Sequence, residues 1–79
     1  MSKLPVLGGD VVVKILQTKF DFKIVSQRGS HIKLSRRIDG HTITTIVPNH
    51  KTLAHGTLRG ILRLAHIDVA EFISAFLDA

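Results

Sequence analysis

Apolar and polar positions along the chain change period twice, and the changes predict its elements. From Gly8 to Lys19 the apolar residues Val12, Ile15 and Leu16, with the aliphatic stem of Lys19, recur at helical spacing, and Asp10 in the first turn suits the helix dipole. Three successive valines would suit a strand as well, but the longer window predicts a helix. A break is expected at Phe20-Asp21, because aspartate tolerates a left-handed cap better than most side chains. The period then drops to two: Phe22–Gln27, Ser30–Arg36 and Thr42–Val47 read as strands, the last a β-branched run. Gly29 supplies the positive φ of the first reversal, and Asp39-Gly40 is a type I′ hairpin signal, so the strands are expected to be consecutive and antiparallel. Pro48 cannot donate to a ladder and ends the third strand, leaving Asn49–Ala54 as a loop that carries His50 and Lys51. Helical period returns at Gly56-Thr57 with the stripe Leu58, Ile61, Leu62 and Ala65. It returns again after Asp68, where Asp68-Val69-Ala70-Glu71 has capping-box spacing and Val69, Phe72, Ile73, Phe76 and Leu77 form a stripe. The predicted class is α+β: helix, three-stranded antiparallel sheet, helix and a short C-terminal helix. All of it is one domain over residues 1–79, with an irregular lead at 1–6 and the terminal helix at 68–79.

Composition narrows what such a domain can do. A chain of 79 residues buries only about 60% of its unfolded surface, so a deep substrate cavity is not expected. The core must rest on Val, Ile, Leu and four phenylalanines, because Trp and Tyr are absent. The lack of cysteine excludes disulfides, thiolate zinc sites and cysteine nucleophiles. No apolar run approaches the ~18 residues of a membrane span, and the first seven residues lack a signal peptide's long apolar block, which predicts a cytoplasmic address and no membrane partner. The net charge of +5 is uneven: residues 1–67 carry all eleven Lys and Arg with three acids, whereas Asp68, Glu71 and Asp78 follow. A basic body of +8 before a tail of −3 is expected to attract a polyanion, either a phosphate backbone or an acidic protein.

Two stretches carry candidate chemistry. In the second predicted strand Ile32 and Leu34 share one face and His31, Lys33 and Ser35 the other, so His31 is expected to point away from the core. An imidazole exchanges protons near neutral pH, and a lysine on the same face could hold an anion such as phosphate. A lone histidine on a polar strand face is more often merely solvated, which keeps that reading open. In the second predicted helix His55, Arg59 and Arg63 recur at steps of four with no acidic partner, a basic ridge available to phosphates or a solvated face.

Three motifs in order and spacing resemble the HicA family of small bacterial toxins: Arg28-Gly29-Ser30-His31, Val47-Pro48-Asn49-His50, and the run from Gly56 to Ala65, GTLRGILRLA. With Ile67 and Glu71-Phe72 they extend over about residues 8–77. The family's usual glycine before the aromatic is replaced by Asp21, and Leu7-Gly8-Gly9 replaces its polar helix opening; the glycine pair is expected to weaken the helix start by about 1 kcal/mol per glycine. The resemblance implies a fold like a double-stranded-RNA-binding domain and a toxin that cleaves messenger RNA without metal or cofactor. It also implies a catalytic histidine at His31 and neutralisation by a HicB antitoxin, the toxin being a monomer when free and part of a hetero-oligomer with its antitoxin. The RNA-contacting candidates are then Arg28, Ser30, Lys33, Lys51, Arg59 and Arg63, with His50 as a secondary site residue. Alternatives from other classes are a non-catalytic RNA-binding module of the same fold and an interaction protein for an acidic partner.

Overall fold

The computed structural model describes residues 3–78 in the order α1 (Gly9–Lys19), β1 (Lys23–Arg28), β2 (His31–Ile38), β3 (His41–Pro48), α2 (His55–Leu64) and α3 (Val69–Leu77). Met1 and Ser2 of the expected lead and Ala79 of the expected terminal helix lie outside the described residues. The strands form one antiparallel sheet in the order β1-β2-β3, so the α+β arrangement read from the pattern is the observed one. Its turns follow the predicted chemistry: Asp39 and Gly40 both take positive φ, at 50° and 79°, as a type I′ hairpin requires. Gly29 does so at 55°, and Asp21 ends α1 with φ of 60°. Phe22 leaves the predicted first strand because its N–H donates back to the Leu16 carbonyl at 3.0 Å and its ring is buried, making it part of the cap of α1.

One face of the sheet is covered. Ile32 and Leu34 of β2 and Thr45 and Val47 of β3 join Val12, Ile15 and Leu16 of α1 and Leu58, Ile61 and Leu62 of α2 in one buried layer. Thr45 is fully buried, and its hydroxyl donates to the Ile61 carbonyl at 2.8 Å, pinning α2 to β3. Both α1 and α2 lie over β3, and α3 packs on the two helices. The apolar stripe expected of α3 is only partly used: Phe72 is buried, Val69, Ile73 and Phe76 are half-buried, and Leu77 is 76% exposed. Helices α1 and α2 pack against this helix and Phe76 against the core, while Leu77 is left to solvent. At the sheet's far end Arg36 lies on the covered face, donates from Nη1 to the Phe20 carbonyl at 3.0 Å and stands 5.1 Å from the centroid of the Phe22 ring. A cation there complements the C-terminal end of the α1 dipole.

The lead and the glycine pair do more than their composition suggests. Leu4 and Leu7 are core residues, and the Leu7 carbonyl accepts from Leu53 N–H at 2.7 Å. Gly9 allows α1 to start directly against the end of β3. Its N–H donates to the His50 carbonyl at 2.8 Å, and a Cβ at this position would overlap the Pro48 carbonyl oxygen. Gly60 differs in that a Cβ there would meet nothing within 4 Å. We therefore expect Gly9→Ala to destabilise the fold by about 1–3 kcal/mol in urea unfolding, as overpacking does. Gly60→Ala is expected to stabilise it by about 0.5–1 kcal/mol. Shifts of the same sign in the two variants would refute the close-approach account of Gly9.

Candidate active site

The outer face of the sheet is built by register. Gly29-Ser30 is a two-residue turn that sets Arg28 opposite His31, and Asp39-Gly40 sets Ile38 opposite His41, so partners along β3, and along β1 as far as Ser26, are fixed by counting back. Across the outer face this gives one row of Arg28, His31 and Pro48 and a second row of Ser26, Lys33 and Ile46. Directly opposed Cβ atoms in antiparallel pairs stand about 5 Å apart, and alternate residues of one strand about 7 Å. His31 is thus flanked by Arg28 across the strand pair and by Lys33 along its own strand. Ser26, Arg28, His31, Lys33 and Ile46 line a shallow groove of about 390 Å³. None of the three strands contains an Asp or Glu, and Lys23 and Arg37 extend the basic outer face beyond the groove.

A bulge keeps that face consistent. Ile24 pairs with Leu34 but Ser26 with Lys33, so Val25 is an extra residue in β1. Lys23 and Ile24 then keep their outward and inward directions while Ser26 and Arg28 still face outward beside His31. Strand β1 pairs with β2 alone, and all six of its residues are exposed.

The loop after β3 is fastened at the same end of the sheet. Asn49 N–H donates to the Ser30 carbonyl at 2.6 Å, His50 gives its carbonyl to Gly9, and Leu53 is buried beneath. His50 and Lys51 are therefore exposed on a loop tied to the turn that precedes His31, whereas Ser30 is half-buried within that turn. Of the residues expected to form the site, Arg28, His31 and Lys33 are brought into one groove, while Ser30 lies in the turn before His31 and His50 and Lys51 lie on the loop bonded to that turn. Arg59 and Arg63 are not brought there. They are exposed on α2, in the helical layer, and line a separate depression with Asp68 and Val69 at the start of α3. Neither forms an ion pair among the described residues, where the one such pair is Lys19 with Asp78 at 3.5 Å.

A family model described as HicA toxin of bacterial toxin-antitoxin matches residues 9–67, from the first residue of α1 to just beyond α2. The chain belongs to the HicA toxin family. The matched span holds the whole groove and both arginines of α2, and α3 follows it. Searches of curated proteins and of solved structures return no match. Membership makes the chain a toxin of a toxin–antitoxin system and implies an antitoxin partner. No helix among the described residues is long and apolar enough to cross a membrane. Among the described residues no three His, Asp or Glu side chains gather as a metal site would.

Ser26 and Ile46 were not among the residues expected from the sequence, yet both line the HicA groove. The signal for Ile46 was present. Counting from the Asp39-Gly40 turn puts it opposite Lys33, on the face its buried neighbours Thr45 and Val47 avoid. Ser26 follows in the same way from the Gly29-Ser30 turn.

Proposed function

We propose that this HicA toxin is an endoribonuclease that cleaves messenger RNA in the cytoplasm, with His31 as general base. The observation that carries the reading is His31 exposed in a groove between Arg28 and Lys33, on strands without a carboxylate. His31 takes the proton of a ribose 2′-hydroxyl, and the oxygen attacks the adjacent phosphorus. Arg28 and Lys33 stabilise the additional negative charge on the non-bridging oxygens, as preorganised donors do in acyl and phosphoryl transfer. The bond from phosphorus to the 5′-oxygen breaks, and that oxygen is protonated by His50 or by solvent. The products are a 2′,3′-cyclic phosphate and a 5′-hydroxyl. Ser30 and Lys51 hold the strand where it leaves the groove, and Arg59 and Arg63 engage phosphates further along. A general base contributes about 10²–10⁴-fold, so slow turnover suits a toxin that acts on abundant transcripts. A HicB antitoxin neutralises the enzyme by covering the outer sheet face, whose groove is open and flanked by exposed cations.

His31→Gln is the direct test. Glutamine keeps hydrogen bonding and approximate size but does not exchange protons near neutral pH, so this variant is expected to bind RNA and arrest neither growth nor cleave. An exposed substitution shifts stability by no more than about 0.5 kcal/mol, so loss of activity is not a loss of fold. Cleavage at the wild-type rate by purified, folded His31→Gln would overturn the assignment and leave the RNA-binding module.

The two basic surfaces are separable by salt. In the His31→Gln background, Arg28→Ala with Lys33→Ala and Arg59→Ala with Arg63→Ala are each expected to flatten log K against log salt by roughly 0.7–0.9 per residue removed. An unchanged slope for the α2 pair would remove Arg59 and Arg63 from the RNA contacts.

Masking has its own signature. Arg28→Glu with Lys33→Glu is expected to weaken antitoxin binding at least tenfold by isothermal titration, since reversed charges on a covered face juxtapose like with like. Unaltered antitoxin affinity would show that inhibition works from another surface.

A further inference from the structure

The groove has two sides of different chemistry. On the β1 and β2 side its lining is Arg28, Ser26, His31 and Lys33; on the β3 side it is Ile46, which is 44% exposed although Thr45 and Val47 beside it are fully buried. The rest of the outer face along β3 is Thr42, Thr44 and the half-buried Pro48. Single exposed apolar residues are common and need no explanation, but this one shares a groove with the proposed base and stands opposite its lysine. We propose that Ile46 is the seat of a nucleoside, the base and ribose attached to the phosphate held by Arg28 and Lys33. This rests on the reading of the groove as the RNA site.

The distances suit that role. Ile46 is directly across from Lys33 and diagonal to His31, at about 5 and 7–8 Å between Cα or Cβ positions in such a sheet. That is the separation between a phosphodiester and the sugar and base it carries. The chain has no Trp or Tyr, and its four phenylalanines are buried or packed against the core, so no aromatic platform is available on this face. An aliphatic side chain meets the flat face of any base by apolar contact without reading its edge. The seat therefore recognises a nucleoside as a class and leaves base identity almost unread at this position. It also gives the strand a direction across the sheet, with phosphate toward β1 and base toward β3.

The experiment uses His31→Gln protein and two labelled single-stranded probes, an eight-nucleotide oligouridylate and the same ribose-phosphate chain without bases, titrated by fluorescence anisotropy. Removing the bases is expected to weaken binding by about fivefold to tenfold, the effect of one buried apolar contact. With Ile46→Ala added, that ratio should fall below about twofold, and Ile46→Phe should raise affinity for the oligouridylate by about fivefold or more through stacking. Ile46→Thr, which keeps the β-branch and strand propensity, should behave as Ile46→Ala does and guards against a folding artefact. A base-dependence that Ile46→Ala and Ile46→Thr leave intact overturns the seat. Arg28→Ala with Lys33→Ala separates the two levels of the reading: if it weakens both probes while the Ile46 variants change nothing, the groove stands and the seat falls. If it weakens neither, the groove itself is not the RNA site.

Discussion

Strand β2 is hydrogen-bonded on both edges and covered on one face, and the fixed period of a strand then leaves no freedom in where His31 points. A one-residue slip would exchange Ile32 and Leu34 for His31 and Lys33 on the covered side. That would expose two large apolar side chains and bury a lysine without a partner, which is why the register is strongly held. The two tight turns set the register and the buried pair enforces it. The Arg28, His31 and Lys33 constellation is thus a by-product of core packing: the same alternation that hides Leu34 presents Lys33.

Concentrating cations on one face is unfavourable for the folded state and useful for the surface. Lys23, Arg28, Lys33 and Arg37 face outward with no carboxylate in any strand, while Asp68, Glu71 and Asp78 sit in or beside α3 on the helical side. Repulsion among the sheet cations is eased by their exposure to water and salt. It also protects an edge that would otherwise invite strand pairing, since β1 is free along one side and exposes Ile24 and Val25. A bulge at Val25 between a lysine and an arginine is a recognised way to blunt such an edge. The charge available to a polyanion and the charge that discourages self-association sit on the same residues.

How much of this was legible in the sequence depends on the range of the interaction concerned. Local signals read well: Asp21, Gly29 and Asp39-Gly40 each adopt the backbone their chemistry predicts, and Leu58, Ile61, Leu62 and Ala65 are all buried. Features that depend on a distant segment did not read. Gly8-Gly9 looked like a weak helix start because the Pro48 carbonyl that demands a glycine is remote in the chain. Leu4 looked like part of a loose lead and Leu7 like a poor helix opening, because the core they join, and the Leu53 N–H that bonds the Leu7 carbonyl, come from other segments. Thr45 sat in a β-branched run with nothing to mark it as the residue that bonds Ile61. The candidate site divides in the same way: His31 and Lys33 followed from alternation within one strand. The separation of Arg59 and Arg63 from them is a matter of which layer α2 joins, and no local pattern encodes that.

Domain size sets the style of chemistry that remains. The groove is shallow, and its flanking charges are exposed, so their attraction for a phosphate acts through a high effective dielectric and is worth far less per charge than it would be in an enclosed site. Exclusion of water, which strengthens every electrostatic contact in a closed active site, is not available to this sheet face. What compensates is rigidity. His31 lies on the central strand, the turn before it is bonded to Asn49, and the next residue of that loop is bonded to the start of α1. A site held this firmly needs little reorganisation when a ligand binds, and its flanking side chains stay open to solvent. An antitoxin that competed for the same cations would control such a site from outside. A toxin fold of this size and a dedicated antitoxin are in that sense one physical solution.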